Sequence, residues 1–226
     1  MNRNKLKNSI ENHPRIFSWL SRIMLGNNRI VRKGSRGGDY LHINEAIFVK
    51  SGIKITGKGN VIEVGKMSVI KNCSITIIGS GCYIRIGNNC RFNNLNIWVE
   101  DKGSSLNIGD NCRNYGFTHI ASTEGTNISV GKDCLLSNQI VIRSGDSHSI
   151  IDLATCNRIN KAQDVIVEDH TWIGNDVKIL KGAHIGSGSV IATGAIVTSG
   201  NYPPNSIIGG IGKVLKQGIT WSPERI

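Results

Sequence analysis

His148 stands in a polar run, RSGDSHSIID, with Asp146 before it and Asp152 after it. An imidazole in such a setting is a candidate general base. Its ordinary pKa lies near neutrality, and its second nitrogen can be held by an acceptor. Asp146, Asp152 or a backbone carbonyl could serve as that acceptor; residues two apart in an extended strand point the same way, which favours Asp146. Trp172 follows 24 residues later and opens WIGNDV. As structure it shields a corner of the fold; as chemistry it walls a site and offers one N–H donor. Arg143, Arg158 and Lys161 flank the polar run and suit either an acidic acceptor or plain surface charge. His170 and His184 read as outward surface groups.

These residues are spaced by a repeat. From residue 165 the chain reads VIVEDHTWIGNDVKILKGAHIGSGSVIATGAIVTSG, with aliphatics at Val167, Ile173, Ile179, Ile185, Ile191 and Val197. Four residues after the first five come Thr171, Val177, Ala183, Ser189 and Ala195, all small or β-branched. A period of six fits neither a helix nor a long alternating strand. It fits a chain that turns a corner every six residues, three sides making one coil of 18. Upstream, Val64, Ile86, Ile108 and Val130 recur every 22 residues, and Val130 to Val167 spans 37. The excess places an insertion of 15 residues near 145–162, around His148. Excursions from a regular scaffold commonly carry function.

The repeat also accounts for most cysteines. Cys90, Cys112 and Cys134 share the slot of Ser68, Thr171 and Ser189, and Cys82 stands likewise four after Ile78. They should stack inward as small core thiols. No CxxC pair exists, so neither a disulfide framework nor a metal site is expected. Composition agrees with many short strands and tight turns: 35 Ile, 27 Gly and 24 Asn among 226 residues, with aromatics at 5%.

Charge is uneven. Of a net +11, residues 1–36 carry +8, with nine Lys or Arg against one Glu. This basic arm packs on a neighbouring subunit or is drawn to an anionic surface. No nucleic-acid-binding motif is present. Nor is there a long apolar run or a secretory signal, which points to a cytoplasmic protein, at most peripheral at a membrane. Residues 14–25 have helical apolar spacing and predict a short amphipathic helix. Pro203-Pro204 breaks the repeat, and the basic tail 201–226 is expected to leave the coil as an extended segment.

Over about residues 40–215 this pattern resembles the hexapeptide-repeat acyltransferases. The resemblance implies an all-β, left-handed parallel β-helix over 37–200 and assembly as a homotrimer, with sites between subunits. DSH at 146–148, RIN at 158–160 and WIG at 172–174 are similar to motifs of bacterial capsule and surface-polysaccharide O-acetyltransferases, including those modifying sialic acid polymers. That likeness implies His148 as general base, Trp172 at the site, acetyl-CoA as donor and a polysaccharide hydroxyl as acceptor. It assigns Gly174, Asn175, Thr193 and Thr198 to the path of the pantetheine arm, and Lys213 and Lys216 to the phosphates. The backbone N–H of Asn175 is a candidate oxyanion donor. Two departures weaken the adenine end: Ser199 replaces a common lysine, and GGIGK stands for GNPAK.

Other functions fit parts of the same pattern. An N-acetyltransferase for an amino sugar or small molecule would use the same scaffold. A zinc carbonic anhydrase needs three histidines around the metal, and the usual pair five apart is missing. A non-catalytic assembly module would leave the DSH, RIN and WIG motifs without a purpose.

Overall fold

A computed structural model describes residue 15 and residues 28–33, 38–43 and 45–224. Apart from Arg15, the helix expected over 14–25 lies outside the described residues.

Isoleucine and valine at alternate positions make short strands, and left-handed turn residues such as Asn89, Asn111 and Asp133 bend the chain between them. The chain visits three sheets in rotation. The first has eight parallel strands, from Arg29–Lys33 to Ile196–Val197; the second has eight, from Tyr40–His42 to Gly200–Tyr202. The third has nine, beginning at Ile47–Val49 and ending with Ser206–Gly209 and Lys213–Gln217. The result is a parallel β-solenoid, and no helix crosses its described body.

The ladder keeps the register expected from the repeat. Val64 pairs with Ile86, Ile86 with Ile108 and Ile108 with Val130; Val130 then pairs with Val167 and Val167 with Ile185. All of these side chains are buried, as are Ile173, Ile179, Ile191 and Val197. The small residues of the second slot are buried as well, from Ser68 through Cys90, Cys112 and Cys134 to Thr171 and Ser189. They do more than leave room. Ser68 Oγ donates to the Gly87 carbonyl at 2.7 Å, Cys112 Sγ to Gly131 at 3.0 Å and Thr171 Oγ1 to Glu168 at 2.9 Å. Each satisfies a corner carbonyl that turns away from the ladder. All six cysteines are free, and burial pushes the Cys73 thiol up to about 11.

The tail departs from expectation. It turns back at Gly210 and Gly212, both at positive φ, and Lys213–Gln217 pairs antiparallel with Ser206–Gly209. Val214 packs against the core, so apolar burial holds the strand to the coil. Among the described residues no helix is long and apolar enough to cross a membrane.

Candidate functional site

The insertion leaves the first sheet at Arg143 and rejoins the second at Val165. Its base is closed by Gln163 N donating to the Ser144 carbonyl at 2.9 Å. Gly145 passes so close to the previous coil that a Cβ there would sit 2.5 Å from Thr123 Oγ1. The outer part is a hairpin. Ile151 and Arg158 form an antiparallel bridge, and Ile159 N donates to the Ile150 carbonyl at 2.9 Å. Asp152 makes the turn: its Oδ1 accepts from Thr155 N at 2.7 Å and Ala154 N at 3.1 Å. The backbone donation from Thr155, with its hydroxyl, holds the Asp152 carboxyl below its ordinary value. Asp152 is therefore spent on the turn.

Asn160 is the buried hub of the insertion, 6% exposed. Its Nδ2 donates to the His148 carbonyl at 2.7 Å and to Asp146 Oδ2 at 3.0 Å. Its Oδ1 accepts from Ile150 N at 2.7 Å and Arg158 Nε at 3.1 Å. Four bonds thus fix both sides of the His148 segment through one side chain. Asp146 also pairs with Lys181, whose ammonium is the main cause of its lowered carboxyl pKa. Arg158 grips Glu124 with both terminal nitrogens, at 2.9 and 2.6 Å, which lowers the Glu124 carboxyl. Arg143 donates to Ser147 Oγ at 3.0 Å, while its buried Nε has no partner among the described residues. His119 lies beside it, its pKa lowered by burial and then by the Arg143 charge.

His148 follows Ser147, which takes a left-handed φ of 67°, and its side chain is exposed. Among the described residues nothing hydrogen-bonds its imidazole. Its backbone is thus anchored while its ring stays open to an incoming group.

Trp172 belongs to the third sheet, not to the corner that carries His148. It pairs laterally with Leu135 and Val190, donates to Ser137 Oγ at 3.3 Å and meets Trp221 at 6.0 Å. Trp221 in turn stacks on His170 at 4.3 Å and donates to its carbonyl at 2.8 Å. Gly174 is required by the next coil, since a Cβ would lie 2.6 Å from the Ile191 carbonyl. Asn175 accepts from Gly194 N at 2.8 Å; Thr193 is exposed and Thr198 half-buried. A bulge at Leu215 brings Lys216 opposite Ile207 and Lys213 opposite Gly209. Ile207 and Gly209 are two apart, so both lysines face outward, Lys216 in the lateral row of Trp172.

Residues 164–199 match the family model described as bacterial transferase hexapeptide (six repeats). That stretch, 36 of the chain's 226 residues, carries the hexapeptide repeat. A polysialic acid O-acetyltransferase of Escherichia coli O1:K1 / APEC is 31% identical over 88 residues, 39% of this chain and 29% of that relative. The matched stretch is thus under a third of the relative's length. Among solved structures, the polySia-specific acetyltransferase NeuO is similar with a TM-score of 0.73 and 28% identity, covering 88% of this chain and 90% of that one. The polysialic acid O-acetyltransferase OatWY gives 0.60 and 25%, covering 87% and 92%.

Within the hexapeptide-repeat coil, the expected site residues fall into two groups. Asp146, His148, Arg143, Arg158 and the exposed Lys161 cluster at the insertion. Trp172, Lys213 and Lys216 lie on the third sheet. No hydrogen bond or ring contact among the described residues joins the groups. Sequence reasoning missed Asn160, Lys181 and Glu124. Asn160 carried a signal, as the last residue of RIN; Lys181 and Glu124 lie 35 and 34 residues from their partners, with no periodic mark. Among the described residues no cluster of three His, Cys, Asp or Glu could hold a metal.

Proposed function

We propose that this chain is an acetyl-CoA-dependent O-acetyltransferase that modifies sugar hydroxyls of a bacterial surface polysaccharide, with an acidic, sialic acid-type polymer as acceptor. The observation that carries the reading is the His148 hairpin: an open imidazole on a backbone locked by Asn160. The likeness to NeuO and OatWY supports the same direction.

His148 takes the proton of the acceptor hydroxyl as its oxygen attacks the thioester carbonyl. A C–O bond forms, the C–S bond breaks, and the leaving sulfur departs as thiolate to be protonated. No metal and no covalent enzyme intermediate are needed, because a thioester is already activated. The Asn175 N–H supports the developing negative oxygen. Asp146 keeps the hairpin in place through Lys181 and Asn160, rather than holding the imidazole. Lys213 and Lys216 fit the phosphates of the donor: both are exposed and face one side. Gly174, Thr193 and Thr198 flank the path between.

The coil is wound left-handed and assembles as a homotrimer, so that the His148 hairpin of one protomer meets Trp172 of its neighbour. That arrangement accounts for the two groups lying on different faces of one chain. The protein works in the cytoplasm, at most peripherally at the membrane, where surface polysaccharide precursors are made.

The test is His148→Ala. Transfer should fall by roughly 10²–10⁴-fold, as for loss of a general base. Thermal stability, trimer assembly and coenzyme affinity should stay unchanged, because the ring touches no core group. The wild-type rate should rise with pH, as for a general base, and the variant should lack that rise. Near wild-type turnover in the variant, or survival of the same pH limb, removes His148 from this role.

A further inference from the structure

The outer face of the first sheet holds a second recessed site, well away from the insertion. A cavity of about 350 Å³ opens there, with Arg29, Lys54, Ser74 and Thr76 in its wall and Gly52 in its floor. Among the described residues neither the Arg29 guanidinium nor the Lys54 ammonium has a carboxylate partner. Two cations and two hydroxyls around one recess suit a carboxylate or phosphate better than a neutral group.

The ladder links this cavity to the proposed site. Lys54 pairs with Thr76, Thr76 with Trp98, Trp98 with Ala121 and Ala121 with Arg143. These five residues form one lateral row. Their neighbours Ile53, Ile55, Ile97, Ile120 and Ile142 point inward, so the row faces away from the core; Lys54 is exposed, Trp98 and Arg143 are half-buried, and Thr76 and Ala121 are themselves buried. Lys54 and Arg143 therefore stand four strand steps apart, about 19 Å at ~4.8 Å per step. Between them the half-buried Trp98 indole is the accessible group, since Thr76 and Ala121 are buried. Trp98 has its N–H committed to Glu100 at 3.0 Å, which leaves the ring for apolar contact. An aromatic ring between two cationic ends is the chemistry of an extended, carboxylate-bearing sugar chain.

We propose that the Arg29–Lys54 cavity is a distal carboxylate subsite for an acidic oligosaccharide whose reacting sugar lies at Arg143 and the His148 hairpin. The inference rests on the proposed activity for its direction, but its binding test does not need turnover. The subsite makes the protein read acceptor length: only a chain that spans the row engages both ends.

The experiment compares wild type, the double variant Arg29→Ala/Lys54→Ala, and Gly52→Val. A Cβ at Gly52 would meet nothing closer than the Arg29 carbonyl at 3.6 Å, so valine fills the floor without straining the coil. Calorimetric titrations use long polysialic acid and a sialic acid disaccharide, both without donor; acetyl transfer is then measured with each. Both variants should bind the polymer about tenfold more weakly. Their disaccharide binding and their KM for acetyl-CoA should match wild type, and added salt should weaken polymer binding most in wild type. The subsite is overturned if both variants hold the polymer like wild type, or if wild type holds disaccharide and polymer equally. It is overturned also if the variants raise the KM for acetyl-CoA alone, which would make the cavity a phosphate site of the donor. Polymer binding by wild type that depends on the cavity but is never followed by transfer would leave the subsite standing and remove the proposed activity.

Discussion

Asn160→Ala should release the His148 hairpin while leaving the coil intact. The substitution deletes two hydrogen bonds to neutral backbone groups, the His148 carbonyl and the Ile150 N–H, at 2.7 Å each. It also deletes one to Asp146 and one to Arg158. A neutral bond contributes roughly 1 kcal/mol and one to a charged group up to about 3 kcal/mol. Asp146 and Arg158 keep Lys181 and Glu124, and water reaches the hairpin, so the charged bonds count for little here. The net loss is about 2–4 kcal/mol of local stability. Hydrogen exchange at the Ile150 amide reads this directly, since that N–H bonds to the deleted oxygen. Its protection should fall roughly 30- to 1000-fold, at about 1.4 kcal/mol per tenfold. Turnover should drop at least tenfold, while amides of the inner strands keep their protection. Unchanged exchange at Ile150 together with turnover within twofold of wild type would refute the view that Asn160 holds the base in place.

The remaining predictions concern the coil, the hairpin charges and the tail. A thiol reagent should label Cys156 quickly and the other five cysteines only after unfolding, because Cys156 alone is exposed; fast labelling of two or more would contradict the inward slot. Gly174→Ala should cost about 2–4 kcal/mol, since its Cβ would meet the Ile191 carbonyl and Thr193 N at 2.6 and 2.8 Å; an unmoved Tm would count against that packing. Asp146 and Glu124 have lowered carboxyl pKa values. Their stabilisation is therefore complete above the ordinary carboxylate range, about pH 4–4.5, and is lost as pH falls through the lowered values. Limited acid proteolysis should cut the hairpin before the coil, and simultaneous cutting would argue against this order. Lys213→Ala and Lys216→Ala should raise the KM for acetyl-CoA several-fold and spare that of the acceptor; equal changes in both would detach them from the phosphates.

The coil was legible because its physics is periodic. A residue at each corner must fill the core, so Val167 to Val197 recurs every six positions and the strands pair in that register. The insertion was legible only as an interruption, 37 residues where 22 were due. What anchors it was not. Glu124 and Lys181 reach Arg158 and Asp146 because successive coils stack, and stacking brings together residues whose spacing in the chain has no period. Asp152 shows the limit in another way: beside a histidine it reads as a possible partner, yet local backbone donors claim it first. The tail misled for a related reason. Pro203-Pro204 ends the hexapeptide pattern, but a bulge at Leu215 lets the basic strand return with Val214 inward.

That returning strand also decides how the solenoid stops. An open parallel coil exposes unpaired strand edges, a template on which further chains could add. Here Lys213–Gln217 runs against the last parallel strand of the third sheet. Gly210 and Gly212 meanwhile occupy both bonding groups of Ile196, on the terminal strand of the first sheet, at 2.8 and 2.9 Å. At the C-terminal end two of the three parallel edges are thus covered, one of them by a strand of reversed polarity that carries Lys213 and Lys216. The same segment that carries the proposed phosphate contacts acts as a stopper against end-to-end polymerisation. Removing it would leave those parallel edges open to strand addition, whatever became of the chemistry.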